Sequence, residues 1–421
     1  MLRRSFIVSL AVSLLALLGA CSRPSLKPAP EGHLRVASWN LEWFPGRVPD
    51  ATPAQQEDHM AAAKAALKKI QPDVLMTQEV RDWPVMTEAL SVLPGLQIHV
   101  VSQFGDRPQN QAIASRLTAD SAWSAPWKYG PSNPPRGYSF AALKTPDGRF
   151  LLCYSLHLKS NLGEMRANIA MRHESSRQLL QHVAEMLKVY STRGPCGVIV
   201  AGDMNTSIDD PKFAADASIR ALRAAGFYWT HEGVPFEKRT TIPADENFPD
   251  NCFDHILTLG LGKPVAVAEA FPGISDHYPV IVDLDLAKAD FQPKLDVAAG
   301  ENELRNAPPL PAPKLVEGVL QSSDDEGLRA AKGQIVKVQG KISRISSTDT
   351  GSITFINFSG NGRGQFVVIV RKDRLPDIAA AVGGDLQSLA GKTVEIQGTV
   401  EFFKNAPQIA VAKPEQLRVL E

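Results

Sequence analysis

Six short polar segments, each following an apolar run, carry the residue types that could break a phosphoester bond. They are Ser38–Asn40, Gln78–Glu79, Ser155–Asn161, Gly202–Asn205, Phe253–His255 and Ser275–His277. A buried strand that ends in a carboxylate, amide or imidazole delivers that group to a sheet edge, where several such ends can converge. Carboxylate oxygens suit Mg²⁺, which usually keeps water and substrate phosphate in its remaining positions, and histidine transfers protons near neutral pH. The pattern therefore predicts a metal-assisted phosphoester hydrolase.

Strands and helices must position these groups, and the hydrophobic pattern predicts both. Apolar runs predict strands at 34–38, 74–77, 150–158, 197–201, 253–259 and 278–284. A helix is predicted from 52 to 70, because Thr52 offers a capping hydroxyl and Pro53 suits the first helical position. A second, amphipathic helix is predicted from 164 to 190, with His173 on its solvated face. Strands separated by both helices and hairpins indicate a layered α/β sandwich.

In this order the six segments resemble the endonuclease/exonuclease/phosphatase superfamily, the fold of deoxyribonuclease I, over roughly residues 33–286. No segment is specific alone, but the order Asn, Glu, His, Asp-x-Asn, Asp and Asp-His is matched without a gap. The resemblance implies a four-layer α/β sandwich of the deoxyribonuclease I type and a single essential Mg²⁺ or Mn²⁺. It also implies that Glu79 is the main metal ligand, with Asn40 and Asp276 completing the coordination directly or through water.

The same resemblance assigns the proton transfers to two histidines. His277 is expected to act as the general base that takes a proton from the attacking water, with Asp254 fixing its tautomer. His157 is expected to act as the general acid or to stabilise the leaving oxygen, and it places the chain in the branch with histidine at this position. Asn205 would donate to a phosphoryl oxygen, whereas Asp203 would either orient the nucleophile or bind the metal.

Three further residues are candidates for contact with the substrate phosphate. Lys159 and Asn161 come directly after one of the predicted strands, although Lys159 would also suit a solvated strand end. Arg116, at the end of another apolar segment, is the third candidate. Together these residues would hold the substrate phosphate beside the metal.

Composition limits the classes of protein that the chain can represent. Its 421 residues are enough for two domains, and 44% hydrophobic with 21% charged residues is ordinary for a globular protein. Lysine plus arginine and aspartate plus glutamate balance at 45 each, with a pI near 7.1, so no overall field favours nucleic acid or an anionic membrane. This balance argues against strong non-specific DNA binding but allows a local basic groove.

The N-terminus has the pattern of a targeting segment. Two arginines precede an apolar stretch from 6 to 18 that is short for a membrane span. The sequence Leu-Gly-Ala-Cys that ends at Cys21 resembles a bacterial lipoprotein signal, which implies a signal peptide at 1–20, lipidation of Cys21 and a spacer at 21–32. A plain secretory peptide is the alternative. Serine rather than aspartate after the cysteine favours the outer membrane, so the expected location is the bacterial cell envelope, lipid-anchored on the extracytoplasmic side.

The other three cysteines leave one question open. Cys153 lies within an apolar strand and is expected to be buried. Cys196 and Cys252 could form a disulfide in an oxidising compartment, but sequence alone does not fix their geometry.

A second unit follows the region that carries the polar segments. Residues 287–318 are expected to form a Pro-rich linker. Residues 319–421 are predicted to form five strands and one helix, with glycines at points of tight curvature, which favours a small all-β barrel like an OB fold. The repeats at 338–340 and 396–398 resemble OB domains attached to some bacterial extracellular nucleases. The densest basic cluster of this unit comprises Arg371, Lys372 and Arg374.

Two activities remain open, because nucleases, lipid phosphodiesterases and phosphomonoesterases share such a site. The first is a metal-dependent nuclease with DNA or RNA as its substrate, which the OB-like unit favours. The second is a phosphodiesterase or phosphatase that acts on lipid head groups or small phosphate esters, for which no membrane-inserting apolar hairpin is evident. A third reading, an inactive binding lipoprotein, is disfavoured because every core polar position is present. The chain is expected to be a monomer.

Overall fold

The computed structural model describes residues 26–104, 109–128, 130, 132–245, 248–310, 312–348, 350–358, 365–403 and 406–420. The predicted signal peptide and Cys21 lie outside these residues. Within them, no helix combines the length and the apolar character that crossing a membrane requires. An α/β domain is followed by a small β-barrel.

The described strands of the first domain form two six-stranded sheets. In chain order they are β1 (His33–Phe44), β2 (Val74–Val80), β3 (Gln97–Val101), β4 (Asn110–Ser115), β5 (Thr118–Pro126), β6 (Gly137–Lys144), β7 (Phe150–His157), β8 (Cys196–Asp203), β9 (Tyr228–Trp229), β10 (Asp254–Leu259), β11 (Ala266–Ala268) and β12 (Val280–Asp285). The first sheet has the order β11-β12-β1-β2-β4-β3, and the second has the order β5-β6-β7-β8-β10-β9. The six predicted apolar runs are the central strands β1, β2, β7, β8, β10 and β12.

Helices cover the outer face of each sheet. They are α1 (Pro53–Ile70), α2 (Trp83–Leu90), α3 (Met165–Ser191), α4 (Ser218–Ala224) and α5 (Val297–Arg305). The predicted cap of α1 is present, because the Thr52 hydroxyl accepts a hydrogen bond from Gln55 N and the Gln55 side chain accepts one from Thr52 N. Local sequence therefore determines where this helix begins.

Three apolar cores hold the layers of this domain together. Successive strand residues point to opposite faces, so Val36 packs between the two sheets while Ala37 packs against α1 and α2. On the outer side of the second sheet, Leu179 of α3 and Leu222 of α4 pack with Val198 of β8. The order helix, sheet, sheet, helix confirms the predicted four-layer α/β sandwich.

The three described cysteines are free and buried. Cys153 lies in the core between the sheets, as predicted. Cys196 begins β8, whereas Cys252 lies just before β10, and the antiparallel pairing of these strands places the two residues at opposite ends of the sheet. The Cys196–Cys252 disulfide that the sequence left open is therefore not formed.

The predicted linker at 287–318 is largely structured. Phe291 is buried in the core between the sheets. Helix α5 packs on α3 and α4, where Gly300 is so close to Leu180 that a Cβ would lie 2.6 Å from its side chain. The first domain thus continues through α5, and the connection to the barrel shortens to 306–314. Proline-rich composition marks only this shorter piece.

The second domain has the strand order of an OB fold. Its described elements are β13 (Leu315–Gln321), α6 (Asp325–Ala330), β14 (Ile335–Ser347), β15 (Ile353–Phe358), β16 (Val367–Arg371), α7 (Leu375–Ala381), β17 (Thr393–Phe403), β18 (Ala406–Val411) and β19 (Leu417–Val419). The strands run β14-β15-β16-β18-β17 around the barrel, and β17 pairs with β14 to close it. Gly340 lies where β14 passes close to Phe358, since a Cβ there would lie 2.6 Å from that ring. The expected OB-like barrel is confirmed.

Candidate active site

Strand ends bring the predicted polar residues to one edge of the two sheets. On the second sheet, His157, Asp203 and Asp254 lie side by side on β7, β8 and β10, because Asp203 is the register partner of both other residues. On the facing sheet, Asn40 lies in β1 and Glu79 near the end of β2. Five side chains that are far apart in sequence therefore face one small region.

The Asp203 carboxylate lies at the centre of this group. Its Oδ2 is 3.0 Å from Asn40 Nδ2, 3.5 Å from His157 Nε2 and 3.9 Å from His277 Nε2. Burial raises the pKa of Asp203 to about 7, with His277 opposing the rise and Asp254 adding to it. Asp203 therefore titrates near neutral pH, as suits a group that exchanges protons with its neighbours.

His277, from the loop before β12, is held by hydrogen bonds at both its ring and its backbone. Asp254 Oδ2 lies 2.7 Å from Nδ1, so Nδ1 carries a hydrogen and Nε2 faces Asp203. The backbone N donates to Ser275 Oγ, and the carbonyl accepts from Trp39 Nε1, at 3.0 Å each. Although burial opposes the charge, the carboxylates of Asp254 and Asp203 raise the pKa of His277 well above its ordinary value. The two carboxylates therefore favour the protonated form of His277 in the protein alone.

His157 has the opposite electrostatic environment. Burial, together with the Arg136 guanidinium and His277, lowers the pKa of His157 well below its ordinary value. Its Nε2 lies 3.8 Å from Glu79 Oε1, and no described residue hydrogen-bonds its Nδ1. His157 is thus neutral in the protein alone. A general base at residue 277 would start neutral, and a general acid at residue 157 would start protonated. The surroundings of the two imidazoles favour the opposite charge state at each residue.

Glu79 and Asn40 contact each other on the facing sheet. Glu79 Oε2 accepts a hydrogen bond from Trp43 N at 2.9 Å, and Oε1 lies 3.4 Å from Asn40 Nδ2. Asn40 Oδ1 accepts from Glu42 N at 3.0 Å, so this oxygen faces the backbone. The amide nitrogen of Asn40 contacts Glu79 and Asp203, and the role of Asn40 in metal binding, directly or through water, stays a prediction.

The backbone around these groups is strained. Glu42, Trp43, Glu79 and Asn205 have φ angles of 51°, 48°, 61° and 52°. Non-glycine residues in this left-handed region cost about 1–3 kcal/mol each, and such residues concentrate at functional sites. The surrounding packing therefore maintains a loop geometry that these residues would not adopt by themselves.

The carboxylate oxygens at this edge suit a hard divalent cation. Glu79 Oε1 and the exposed carboxylate of Asp276 would hold it, with Asp203 close by. Oxygens of Asp203 and Asp254 and a nitrogen of His277 also lie within 4.8 Å of one another, which offers a second arrangement. A cation bound here would stabilise the charge that develops on the phosphoryl oxygens.

Lys159 and Asn161 make hydrogen bonds that hold the loop after β7. Lys159 Nζ donates to the carbonyl oxygens of Ser160 and Leu162, each at 2.9 Å. Burial, with guanidinium groups nearby, lowers the pKa of Lys159 to about 8. Asn161 Nδ2 donates to the carbonyl oxygen of Asn205 at 3.0 Å. These contacts shape the loop, and the phosphate contacts of Lys159 and Asn161 stay predictions.

Asn205 connects this loop to Asp203. Its backbone N donates to Asp203 Oδ1 at 2.8 Å, and its Nδ2 donates to Leu158 O at 3.3 Å. That contact uses one of the two amide hydrogens. The position of Asn205 is compatible with the predicted contact to a phosphoryl oxygen.

Arg116 lies at the wrong end of the sheet for the predicted phosphate contact. Strand β4 runs antiparallel to β2, with Ser115 opposite Val74, so Arg116 follows β4 at the edge away from Glu79. Its guanidinium donates to the carbonyl oxygen of Pro94 and pairs with Asp73. The prediction failed because sequence alone did not give the direction of β4.

A buried ion pair behind the site was not predicted. Arg172 of α3 pairs with Asp216, and both side chains are fully buried. Arg172 Nη1 also donates to Lys159 O at 2.8 Å and to Asn161 Oδ1 at 3.1 Å. His173, expected to be solvated, lies beside Asp216 and is largely buried. This network fixes the loop that follows His157.

The sequence contained a signal for this pair. Arg172 falls three residues after Ile169 and seven before Leu179, which places it on the buried stripe of α3. A charged residue on such a stripe requires a partner, because an unpaired buried charge is costly. The partner itself, 44 residues further along the chain, could not be identified from sequence.

Glu42 is a second residue that the sequence analysis missed. Its Oε2 accepts hydrogen bonds from Asp276 N at 3.1 Å and from Arg47 Nε at 2.6 Å. Burial, with the charge of Asp276 nearby, raises the pKa of Glu42. The Glu42 carboxylate therefore positions the loop that carries Asp276 and His277.

A cleft of about 1000 Å³ opens beside these groups. Its lining includes Trp127, the cations Arg136 and Lys159, and the amides Gln103 and Gln109. The cations and amides of this lining provide polar contacts for a phosphate and the group attached to it. The cleft thus offers space for substrate groups next to His157.

The sequence matches the Endonuclease/Exonuclease/phosphatase family over residues 37–277, which is more than half of the chain. No curated protein matches it. Among solved structures, an endonuclease/exonuclease/phosphatase family protein from Bacteroides thetaiotaomicron is 19% identical over 61% of this chain and 97% of that chain, with a TM-score of 0.46. TDP2 from Caenorhabditis elegans is 17% identical over 61% of this chain and 76% of that chain, with a TM-score of 0.45.

The human Nocturnin catalytic domain is 17% identical over 61% of this chain and 96% of that chain, with a TM-score of 0.46. These distant structures carry no argument about substrate, so the assignment depends on the sequence match. That match spans every polar segment from Asn40 to His277 and agrees with the four-layer fold. The chain therefore belongs to the Endonuclease/Exonuclease/phosphatase family, whose members are phosphoester hydrolases.

Proposed function

We propose that this protein hydrolyses phosphodiester bonds of DNA or RNA with the help of Mg²⁺ or Mn²⁺. The observation that carries the proposal is the convergence of Glu79, His157, Asp203 and the Asp254–His277 pair on one region. Hard oxygen donors, two imidazoles and a carboxylate that titrates near neutral pH are the groups needed for attack by water on phosphorus. No other arrangement of the described residues combines them.

In this proposal His277 takes a proton from the attacking water, and His157 serves the leaving oxygen. Asp254 fixes His277 with Nε2 directed into the site, and Asn205 positions a phosphoryl oxygen. Both proton transfers require a change from the charge states of the protein alone, since His277 must lose its proton and His157 must gain one. Asp203, within 3.5 Å of His157 and 3.9 Å of His277, is placed to exchange protons with both.

Two features favour nucleic acid over lipid head groups or small phosphate esters. The cleft beside the loop that follows His157 is lined by the cations Arg136 and Lys159, and a positively charged groove that follows the backbone is typical of nucleic-acid binding. The OB-like barrel adds a second unit of a kind that binds oligonucleotides and oligosaccharides. Neither feature is required for a small phosphate ester.

The substrate class is tested by offering the purified protein plasmid DNA, RNA, sphingomyelin and inositol phosphates, each with Mg²⁺ or with EDTA. We expect Mg²⁺-dependent cleavage of DNA or RNA and no comparable release from the other two. EDTA should abolish cleavage, and added Mn²⁺ should restore it. Turnover of sphingomyelin or inositol phosphates without cleavage of either polymer would contradict the nuclease assignment.

We further propose that the protein is held in the bacterial cell envelope by a lipid on Cys21, on the extracytoplasmic side. Cys21→Ser should prevent lipid attachment and leave an uncleaved precursor. The unaltered protein should partition with membranes and resist salt washing, because acyl chains rather than charges retain it. Fractionation, together with the mass of the mature N-terminus, measures both effects. A soluble protein cleaved at another position would instead indicate an ordinary secretory peptide.

A further inference from the structure

The barrel packs against the first domain on the side that carries the active site. The guanidinium of Arg371, at the end of β16, lies so close to Gly163 that a Cβ there would be 3.5 Å from it. Gly163 belongs to the loop that follows His157. In a second contact between the domains, Lys332 Nζ of the barrel lies 5.6 Å from the centre of the Phe248 ring of the first domain. We call the region between these two contacts the seam.

Three cations border the seam. Lys332 and Arg371 come from the barrel and Lys212 from the first domain, and none of them forms an ion pair with a described residue. Burial lowers the pKa of Lys212, the charge of Lys332 lowers it further, and the carboxylate of Asp210 opposes the shift. Arg371 likewise contributes to the lowered pKa of Lys159. Positive charge therefore accumulates from the seam to the loop after β7.

Three carboxylates also border the seam, namely Glu164, Glu401 and, beside Lys212, Asp210. Glu164 caps α3 by accepting hydrogen bonds from Arg166 N and Ala167 N, at 2.9 and 2.7 Å. Burial, with Glu164 nearby, raises the pKa of Glu401, and Arg371 opposes this shift. Like charges brought together and partly desolvated are unfavourable unless a counter-charge joins them. Asp210 lies near Lys212 and Glu401 near Arg371, but no described carboxylate forms an ion pair with any of the three cations.

An extended anion suits this arrangement of charge. The seam cations lie on two domains, and positive charge continues through Lys159 toward His157, which favours a chain of phosphates over a single small anion. Phe248 adds an aromatic ring that is 52% exposed directly beside Lys332. Cations that follow a backbone, with exposed rings between them, are typical of single-stranded nucleic acid binding.

We propose that the seam binds the phosphodiester backbone of single-stranded nucleic acid and leads it to the active site, with Arg371, Lys332 and Lys212 as phosphate contacts. This inference rests on the proposed nuclease function and names the form of its substrate. It changes the expected role of the barrel, which becomes one wall of the substrate groove rather than a separate platform. It also divides the predicted basic cluster, because Arg371 faces the first domain whereas Arg374 pairs with Asp373 at 3.3 Å.

The test uses the full chain carrying Lys332→Glu together with Arg371→Glu, and two substrates. A single-stranded oligonucleotide long enough to span the seam reports binding there, and bis(p-nitrophenyl) phosphate, which is too small to reach it, reports the chemistry. The ratio of kcat/KM for the oligonucleotide to that for bis(p-nitrophenyl) phosphate should fall about tenfold or more, mainly through KM. The salt dependence of binding should flatten by roughly 0.7 in log–log slope for each lost phosphate contact.

Two control variants separate local charge from general damage to the barrel. Lys392→Glu reverses an exposed lysine on the turn before β17 and should leave the ratio unchanged. Arg371→Lys keeps the positive charge and should retain most of the oligonucleotide activity. An unchanged ratio in the double Glu variant, with active bis(p-nitrophenyl) phosphate hydrolysis, would overturn the seam proposal alone. Inactivity of the unaltered protein on both substrates would instead count against the proposed function.

Discussion

Replacing His277 by alanine is expected to lower kcat by on the order of 10²–10⁴ while leaving the fold intact. The side chain lies at a loop before β12, and its backbone contacts with Ser275 and Trp39 do not depend on the imidazole. What disappears is the group that exchanges protons at Nε2, 3.9 Å from Asp203. The measurement is kcat on DNA and on bis(p-nitrophenyl) phosphate at saturating Mg²⁺, with circular dichroism to check the fold.

Asp254→Asn tests how His277 is used, because it keeps the shape of the side chain and removes the carboxylate. An amide at this position no longer fixes the proton on Nδ1, so a loss of similar order is expected. The double variant with His277→Ala should be no worse than His277→Ala alone, since the two residues act as one unit. His33→Gln, at the partly exposed start of β1, is the matched control and should leave kcat unchanged.

The pH profile determines which proton transfer His277 performs. If His277 is the base, only its neutral form is active, so kcat rises with pH through the raised pKa of this residue. The carboxylate of Asp254 is one cause of that raised pKa, so Asp254→Asn should shift the rising limb to lower pH. A limb that falls through this range would assign the acid role to His277, and near wild-type kcat in His277→Ala would contradict both roles.

The convergence of the active site could be predicted from sequence because its causes are local. Buried strands such as β8 show continuous apolar runs, and each run ends where the chain reaches the sheet edge, at residues such as Asp203. Polar residues on neighbouring strands meet at one sheet edge when each residue lies at the end of its strand that reaches this edge. This holds for parallel and for antiparallel strands. The capping box of α1 and the five strands of the barrel were also local features.

The remaining features could not be predicted because they depend on strand direction and on long-range packing. Arg116 and His157 are alike in sequence, because each is a polar residue at the end of an apolar run. Strand β4 runs antiparallel to β2, however, so Arg116 lies at the sheet edge away from Glu79. The three acceptors that hold the Lys159 ammonium group come from the loop after β7, whose conformation sequence does not specify. The position of Arg371 beside Gly163 depends on how two domains pack, and no pattern within either domain encodes it.

Asp216→Ala is expected to destabilise the first domain by about 3–5 kcal/mol. The substitution leaves the Arg172 guanidinium with no counter-charge in a fully buried position. Asp216 also accepts hydrogen bonds from Ser218 N and Ser218 Oγ at the start of α4, at 3.0 and 2.7 Å, so the helix loses a contact as well. All six tryptophans lie between residues 39 and 229, so tryptophan fluorescence during urea denaturation reports on this domain without interference from the barrel.

Two further variants distinguish the ion pair from ordinary loss of packing. Asp50→Ala removes an exposed carboxylate and should change the stability by less than about 0.5 kcal/mol. Arg172→Met combined with Asp216→Ala removes both charges and should recover part of the loss, because the penalty arises from leaving one charge unpaired. A double variant less stable than Asp216→Ala would show that the hydrogen bonds from Arg172 to Lys159 and Asn161 outweigh the charge pairing.

The pH dependence of stability gives an independent measure of the same pair. Although burial opposes the charge, contacts with His173 and Arg172 hold the pKa of Asp216 below its ordinary value of 3.8. A depressed folded-state pKa contributes stability that is present above the unfolded value and is lost as pH falls through the folded one. The unaltered domain should therefore lose this contribution only below pH 3.8, in strongly acidic solution, whereas Asp216→Asn should lack that part of the acid dependence. Identical acid profiles for the two proteins would mean that Asp216 does not carry its charge in the folded domain, and the large penalty expected for Asp216→Ala would then lose its physical basis.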